Sequence, residues 1–530
     1  MVGGLLLRLP GTVLLCACLI GAVDSNAAGA QDVSLVEAAR LGDLARIRAL
    51  QPYADVNQTA ADGTTALHWA VNRDDVALVE LLLGAQANVG VLNRYGLPPI
   101  TLAAVNGNAV VLARLIEAGA DPNTSVPGGE TVLMTAARTG DPQAVDVLLR
   151  AGAASDTVDE AGQTALMWAA AANNPQAIET LVASGADLHV RTKGGLDALM
   201  FAVRGGRPEA TKALIAAGSD VDGTLHTGES VLEVALVNTH WQIADLLLEH
   251  GADPNQPAAG HSALHRLAVQ RAIIRGVVTS EEAAIPIGSL DIILELVKKM
   301  IAKGLDVNAR MAKDGMKDQR FVNMRDVLFR VGATGFLLAA KEADLELMDL
   351  LLDAGADPTI PTTDGTTPLM VAAGLYSHRG SFRRFDARGW TDDILATVAL
   401  CLDLGNDVNA INEVGDTALH GAAYRGALDV AQLLIDNGAK LDVTDTRGLT
   451  PLAVANGVYY IDGLWRAPET ADLLRERLRT SGLATDVPTA NSKELCLYCY
   501  LTNYEQYKAA QQHARDLEEL FKQERAQGES

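Results

Sequence analysis

The chain has 530 residues, with 43 Lys and Arg against 66 Asp and Glu, a net charge of −23 and a pI near 4.8. That balance excludes nonspecific attraction of the whole body to nucleic acid or to an anionic membrane. An apolar fraction of 48% with only 4% aromatic residues describes an interior filled by Leu, Val and Ala, and the length alone would suit several domains.

The first 30 residues read as a leader rather than as fold. Arg8 gives a positive start, Val13 to Val23 an apolar core and Ala28-Gly29-Ala30 a small-residue cleavage signature. Residues 1–30 are therefore expected to be a signal peptide cleaved near Ala30, with a mature chain beginning near Gln31 in the periplasm or outside the cell. An apolar run of about eleven residues is too short to span a bilayer. Cys18, after Leu15-Cys16-Ala17, loosely resembles a lipoprotein box, but the run stays apolar through Leu19, Ile20 and Val23, which favours cleavage at Ala30. Residues 31–60 follow as an N-terminal capping helix pair, with Leu35, Ala38 and Ala39 ahead of Gly42 and Asp43.

From there the chain is periodic. Glycines at 63, 96, 129, 162, 195, 228 and 260 lie 33 or 32 residues apart, and 332–365 and 415–448 repeat the 33-residue step. A fixed period of this size means one supersecondary unit copied along the chain, each copy burying its apolar face against its neighbours. Within the copies, Thr65-Ala66-Leu67-His68, Thr164-Ala165-Leu166-Met167, Ser262-Ala263-Leu264-His265, Thr367-Pro368-Leu369-Met370 and Thr417-Ala418-Leu419-His420 follow the glycine. Gly119-Ala120-Asp121-Pro122-Asn123 and its equivalents at 251 and 355 close a second helix with a glycine cap and a proline stop. Thr65 suits an N-cap, Leu67, Ala70 and Val71 an apolar face, and Val76, Val79, Leu82 and Leu83 the helical spacing of a second helix.

These motifs resemble the ankyrin repeat over roughly residues 34 to 480. The resemblance implies an all-α ankyrin-repeat solenoid of helix pairs with short β-turn fingers, here with two insertions and a C-terminal helical tail. It implies that His68, His265 and His420 order their turns by hydrogen bonds to nearby backbone rather than serving catalysis or a metal. It also implies partner contacts from residues beside the repeat glycine and just after the paired alanines, which here include Arg94, Tyr95, Asn106, Tyr424, Arg425 and Arg447.

The organisation expected beyond the cap is regular repeats over 61–259, a repeat with two insertions over 260–331, and repeats with a basic and aromatic insertion over 332–413. The last repeats and a closing helix occupy 414–480, a linker 481–492 and a helical tail 493–530. The insertions are where the period breaks. Gly260 and Gly304 are 44 residues apart where Gly63 and Gly84 are 21 apart, and Gly304 to Gly332 spans 28 where Gly84 to Gly96 spans 12. The second of these stretches carries Arg320 and Arg325, and the expansion after Gly374 carries Phe382, Arg383, Arg384 and Trp390. Arg interleaved with aromatics is the composition of interface anchors, and loop insertions in repeat proteins map to binding faces; a solvated loop or a lid over helix ends is the competing reading. Tyr459 and Tyr460 are expected to pack against the C-terminal cap.

In the tail, Tyr507, Ala510, Ala514, Leu517 and Phe521 keep a three- and four-residue seam that suits docking on the repeats, with self-association the alternative to a monomer. Cys496-Leu497-Tyr498-Cys499 lacks the following His of a haem site and the further ligands of a zinc site, so a local disulfide or idle thiols is the favoured reading. No His-Glu-x-x-His, phosphate-loop or Gly-x-Ser-x-Gly motif occurs. The sequence therefore points to a non-catalytic scaffold for an unnamed protein partner, without cofactor, metal, nucleic acid or transmembrane segment. The alternatives are an envelope redox accessory using Cys496 and Cys499, or a hydrolase with its site in the insertions.

Overall fold

The computed structural model describes residues 34–256, 260–277, 289–312, 331–375, 390–460 and 463–486. They fall into two compact units, Met1–Ala252 and Asp253–Ser530. In the first unit each copy of the repeat forms two antiparallel helices. The pairs are α1 (Leu35–Leu41) with α2 (Leu44–Leu50), α3 (Ala66–Asn72) with α4 (Val76–Gly84), α5 (Pro99–Asn106) with α6 (Ala109–Glu117), and α7 (Val132–Thr139) with α8 (Pro142–Arg150). Three more follow: α9 (Ala165–Ala172) with α10 (Pro175–Ala183), α11 (Ala198–Arg204) with α12 (Pro208–Ala216), and α13 (Val231–Val237) with α14 (Trp241–Glu249).

The first helices stack on one another from α1 through α13 as one layer, and the second helices from α4 through α14 as another. Small side chains permit this closeness: Ala66, Ala70, Ala103, Ala104, Ala136 and Ala137 are all buried. Threonine caps α3, α7 and α9 as its hydroxyl predicts. Thr65 Oγ1 accepts from the His68 amide at 3.3 Å, while the Thr65 amide donates to His68 Nδ1 at 3.2 Å, closing a capping box. His68 Nε2 reaches Leu97 O of the next repeat at 3.0 Å, so the histidine joins two copies as the resemblance implied.

Turns are tied by a side chain the sequence repeats. Asn123 accepts from the Ala154 amide at 2.9 Å and donates to Gly152 O at 3.1 Å. Asn308 and Asn409 do the same in the second unit, toward Asp357 and Gly355 and toward Lys440 and Gly438. Each turn thus satisfies backbone groups of the following one, which would otherwise face each other unpaired. Fingers are joined in the same way, Arg94 N donating to Asp62 O at 2.8 Å and Glu160 N to Gly128 O at 3.1 Å.

The second unit begins irregularly. α15 (Ala263–Val277) and α16 (Ser289–Ala302) are long, followed by α17 (Gly335–Lys341), α18 (Leu345–Asp353), α19 (Pro368–Ala373) and the long α20 (Trp390–Asp403). α21 (Ala418–Arg425), α22 (Leu428–Asp436) and α23 (Pro451–Asn456) resume the pattern, and α24 (Pro468–Thr480) closes it. Between α23 and α24 stands a two-stranded antiparallel hairpin, β1 (Val458–Tyr460) with β2 (Gly463–Trp465), pairing Tyr459 with Leu464. Helical spacing gave no sign of it, and it places Tyr459 and Tyr460 on a strand.

Where α15 runs past the length of the other first helices it carries Arg271, the largest fully buried side chain among the described residues. Arg271 grips Asp344 through Nε at 2.6 Å and Nη2 at 2.8 Å, and donates from Nη1 to Leu290 O at 2.7 Å. One turn on, Arg275 Nη1 lies 3.0 Å from the same carboxylate, and Nη2 lies 3.4 Å from Asp393 of α20. Asp344 also caps α18, accepting from the Leu347 amide at 3.3 Å. A buried arginine of this kind needs bidentate pairing and further acceptors to offset its desolvation, and it has both.

Candidate interaction surface

The finger between the second and third helix pairs is built by Asn93. Its Oδ1 accepts from the Tyr95 amide at 2.9 Å and the Leu97 amide at 3.0 Å, and Gly96 supplies the left-handed turn with φ 73°. This presents Arg94 and Tyr95 as a pair: the guanidinium carbon lies 4.7 Å from the ring centroid and Nη2 donates to the phenol oxygen. Tyr95 is 47% exposed and its neighbour Leu92 57%. Asn106, exposed at the end of α5, spends its Nδ2 on Val71 O at 2.7 Å and so links two repeats.

Two further arginines share this face. Arg138 stacks on Trp168, 5.3 Å from the ring, and its Nη2 lies 3.6 Å from Glu130, which also accepts from Thr135 Oγ1 at 2.8 Å. Trp168 Nε1 donates to Asp159 Oδ2 at 3.2 Å, and Asp159 Oδ1 accepts from the Ala161 and Gln163 amides. Arg191 donates to Thr224 O at 2.7 Å and stands 3.5 Å from Asp197, the N-cap of α11. Burial raises the Asp197 carboxyl above the ordinary range, against the pull of backbone donors and Arg191. Arg138 follows the paired Ala136 and Ala137, so the rule that selected Asn106 and Tyr424 also reaches it; Arg191 offers no comparable sequence signal.

Residues named on the last repeats are built into the stack. Tyr424 is 7% exposed, and Arg425 donates to Ala372 O at 2.9 Å. Burial pulls the Arg425 guanidinium down to about 10 while Glu342 works the other way. Arg447 is held on Asp445 through Nε at 2.7 Å, and Asp445 Oδ1 takes the Arg447 and Leu449 amides. Beside it lies Asp416, whose carboxyl burial pushes up to about 7, with Asp445 and Asp364 acting in the same direction and Arg447 against them. Burial also takes His420 down to about 4, a neutral imidazole bonded to Thr417 and Leu449 O. The burial of Tyr424 and the internal partners of Arg425 and Arg447 give all three structural work, a role their sequence positions did not separate from contact.

Arg320, Arg325, Phe382, Arg383 and Arg384 lie outside the described residues, as do Cys496 and Cys499; Trp390 opens α20, but its side chain lies outside them too. Among the described residues, no helix is long and apolar enough to cross a membrane, and no group of three or more His, Cys, Asp or Glu side chains could hold a metal ion.

Comparison with known proteins agrees with the repeat pattern. One family model of ankyrin repeats matches residues 35–126, 113–192 and 170–258, and a second matches 402–455. Neurogenic locus notch homolog protein 1 of Homo sapiens is 36% identical over 143 residues, which is 24% of this chain and 6% of that protein. The Xenopus tropicalis protein of the same name is 32% identical over 168 residues, 28% of this chain and 6% of its own length. Neurogenic locus notch homolog protein 2 of Homo sapiens is 33% identical over 135 residues, 22% of this chain and 6% of its own. The chain thus spans only about 6% of the length of these relatives.

Proposed function

Because the chain belongs to the ankyrin-repeat family, we propose that it is an exported scaffold that binds a protein partner without chemical turnover. The observation that carries the binding reading is the finger face of the first unit. There Arg94 and Tyr95 are exposed yet held in one mutual geometry, an arrangement suited to a contact that costs little side-chain entropy on binding. Stacked helix pairs supply rigid support, and the fingers project side chains from it. Export rests on the leader-like order of Arg8, the apolar run and Ala28-Gly29-Ala30. The basic and aromatic residues at 320, 325, 382–384 and 390 are proposed as a second contact region on composition alone.

Affinity capture from envelope extract, with mass spectrometry of what is retained, tests the reading. Arg94→Ala combined with Tyr95→Ala should lose the captured partner while the circular-dichroism spectrum is unchanged; Arg383→Ala, Arg384→Ala and Trp390→Ala together should weaken capture in the same way. Retention of the same partner by both variants would remove these surfaces from the proposal. N-terminal sequencing of natively expressed protein should find a start near Gln31, and an intact Met1 would overturn export. If replacing Cys496 and Cys499 by Ser abolishes a cellular phenotype with the fold intact, the redox alternative displaces the scaffold.

A further inference from the structure

We propose that the finger face of the first unit, from Leu92 to Lys193, receives an acidic, partly apolar peptide segment of the partner; this deepens the scaffold reading and depends on it. The two helix layers of this unit differ in the charge they show to solvent. The second helices and the turns after them expose Glu80, Glu117, Asp121, Asp156, Glu179 and Glu209, with few cations such as Arg114, Arg150 and Lys212 between them. Between Leu92 and Lys193 the exposed or half-buried charges of the finger and first-helix layer are Arg94, Arg138, Arg191 and Lys193 against Glu160, whereas outside that span Arg73 and Arg204 are offset by Glu37, Asp62 and Glu229.

That layer has carboxylates, but its deepest ones are buried beneath the cations. Glu130, Asp159 and Asp197 are buried and engaged with Thr135, Trp168 and the α11 amide end. Glu130 and Asp197, the carboxylates beside Arg138 and Arg191, are 8% and 10% exposed against 26% and 37% for the arginines, so an approaching ligand meets guanidinium first. An arginine whose plane is fixed by an aromatic face or a backbone acceptor loses less freedom when a carboxylate docks on its remaining edge. In a chain of net charge −23, a face that presents cations outward draws in an acidic ligand that the carboxylate-lined layer repels.

Apolar side chains accompany the cations. Leu92, Tyr95, Val105 and Val158 are exposed on the same layer, which suits a ligand that alternates carboxylates with apolar residues. Nucleic acid fits less well. Asp62, Glu160 and Glu229 interrupt the cations, and a strand with a phosphate at every step meets them, whereas a peptide can space its carboxylates around them.

The test is fluorescence anisotropy of the full mature chain with three labelled probes of equal length, a Glu-Leu peptide, a Lys-Leu peptide and oligothymidylate. The Glu-Leu peptide should bind at least about tenfold tighter than either other probe and weaken with added salt. Combining Arg138→Gln, Arg191→Gln and Lys193→Gln should weaken it at least about tenfold, while Arg114→Gln with Arg150→Gln on the other layer should change it less than about twofold. Should the triple variant lose helicity, the exposed Lys193→Glu alone is expected to cost at least about threefold. Preference for Lys-Leu or oligothymidylate, or equal binding by the variants, overturns the proposal. A partner captured by the intact protein in spite of such a result would leave the scaffold standing and remove only the acidic ligand.

Discussion

In the first unit the helices run seven to nine residues, whereas α15, α16 and α20 of the second run 15, 14 and 14. Regular copies hold together by Ala and Leu packing between near-identical neighbours, and their arginines stand at the surface. The lengthened helices carry side chains beyond the reach of that packing, and there Arg271 and Arg275, one turn apart, meet Asp344, Glu346 and Asp393. Departing from the period exchanges replaceable apolar contacts for an ionic junction whose centre, Arg271 with Asp344, is buried, while Glu346 and Asp393 flank it with 69% and 42% of their side chains exposed.

The sharpest way to break that comparison is Arg271→Met. It leaves Asp344 buried with Arg275 as its remaining cation, and should cost about 3–5 kcal/mol, read by urea unfolding, with faster amide exchange over 335–353 and none over 132–183. Arg114→Met in the first unit, whose side chain is 46% exposed in its pairs with Glu80 and Glu117, should leave the urea midpoint almost unchanged. Equal losses would refute the distinction between the units.

Next in size is Gly415→Ala. Gly415 has φ 82°, and an added Cβ would lie 2.7 Å from Asp445 Cα, so strain and clash combine for a loss of at least about 2 kcal/mol. Gly119→Ala has φ 96° but nothing near the added carbon, and about 1 kcal/mol is expected. Thermal melts of the two variants measure the difference.

Asp416→Asn sharpens the electrostatic side. Because burial raises the folded carboxyl to about 7, its stability contribution is full below the ordinary carboxylate range and is lost as pH rises through 7. The variant should melt several degrees above the parent at pH 8, and the gap should close toward pH 4. His420 runs oppositely: held down to about 4, it contributes above the ordinary imidazole value and loses that as pH falls toward 4, in parent and variant alike. A pH-independent gap would show that Asp416 is ionised throughout.

The smallest effect tests the repeat rule itself. Thr239 adopts φ 58°, a left-handed conformation that penalises a branched side chain. Thr239→Gly should stabilise by roughly 0.5–1 kcal/mol, and destabilisation would show that its side chain does unrecognised work.

Most of the fold was written locally. The 33-residue step, threonine beside the first helix and Gly-Ala-Asp at the end of the second specify caps, turns and apolar stripes within one copy, and copying supplies the neighbour. The exposed pair Arg94 and Tyr95 was legible for the same reason, since its geometry is set by the adjacent Asn93 and Gly96. What a side chain meets from another copy was not. Arg425 and Arg94 are both arginines at family contact positions, yet Arg425 ends against Ala372, 53 residues back, and Arg271 against Asp344, 73 residues on. Burial of a charge depends on whether a distant segment brings an acceptor to it, and no local pattern encodes that distance; only the folded stack decided which cations became structure and which remained surface.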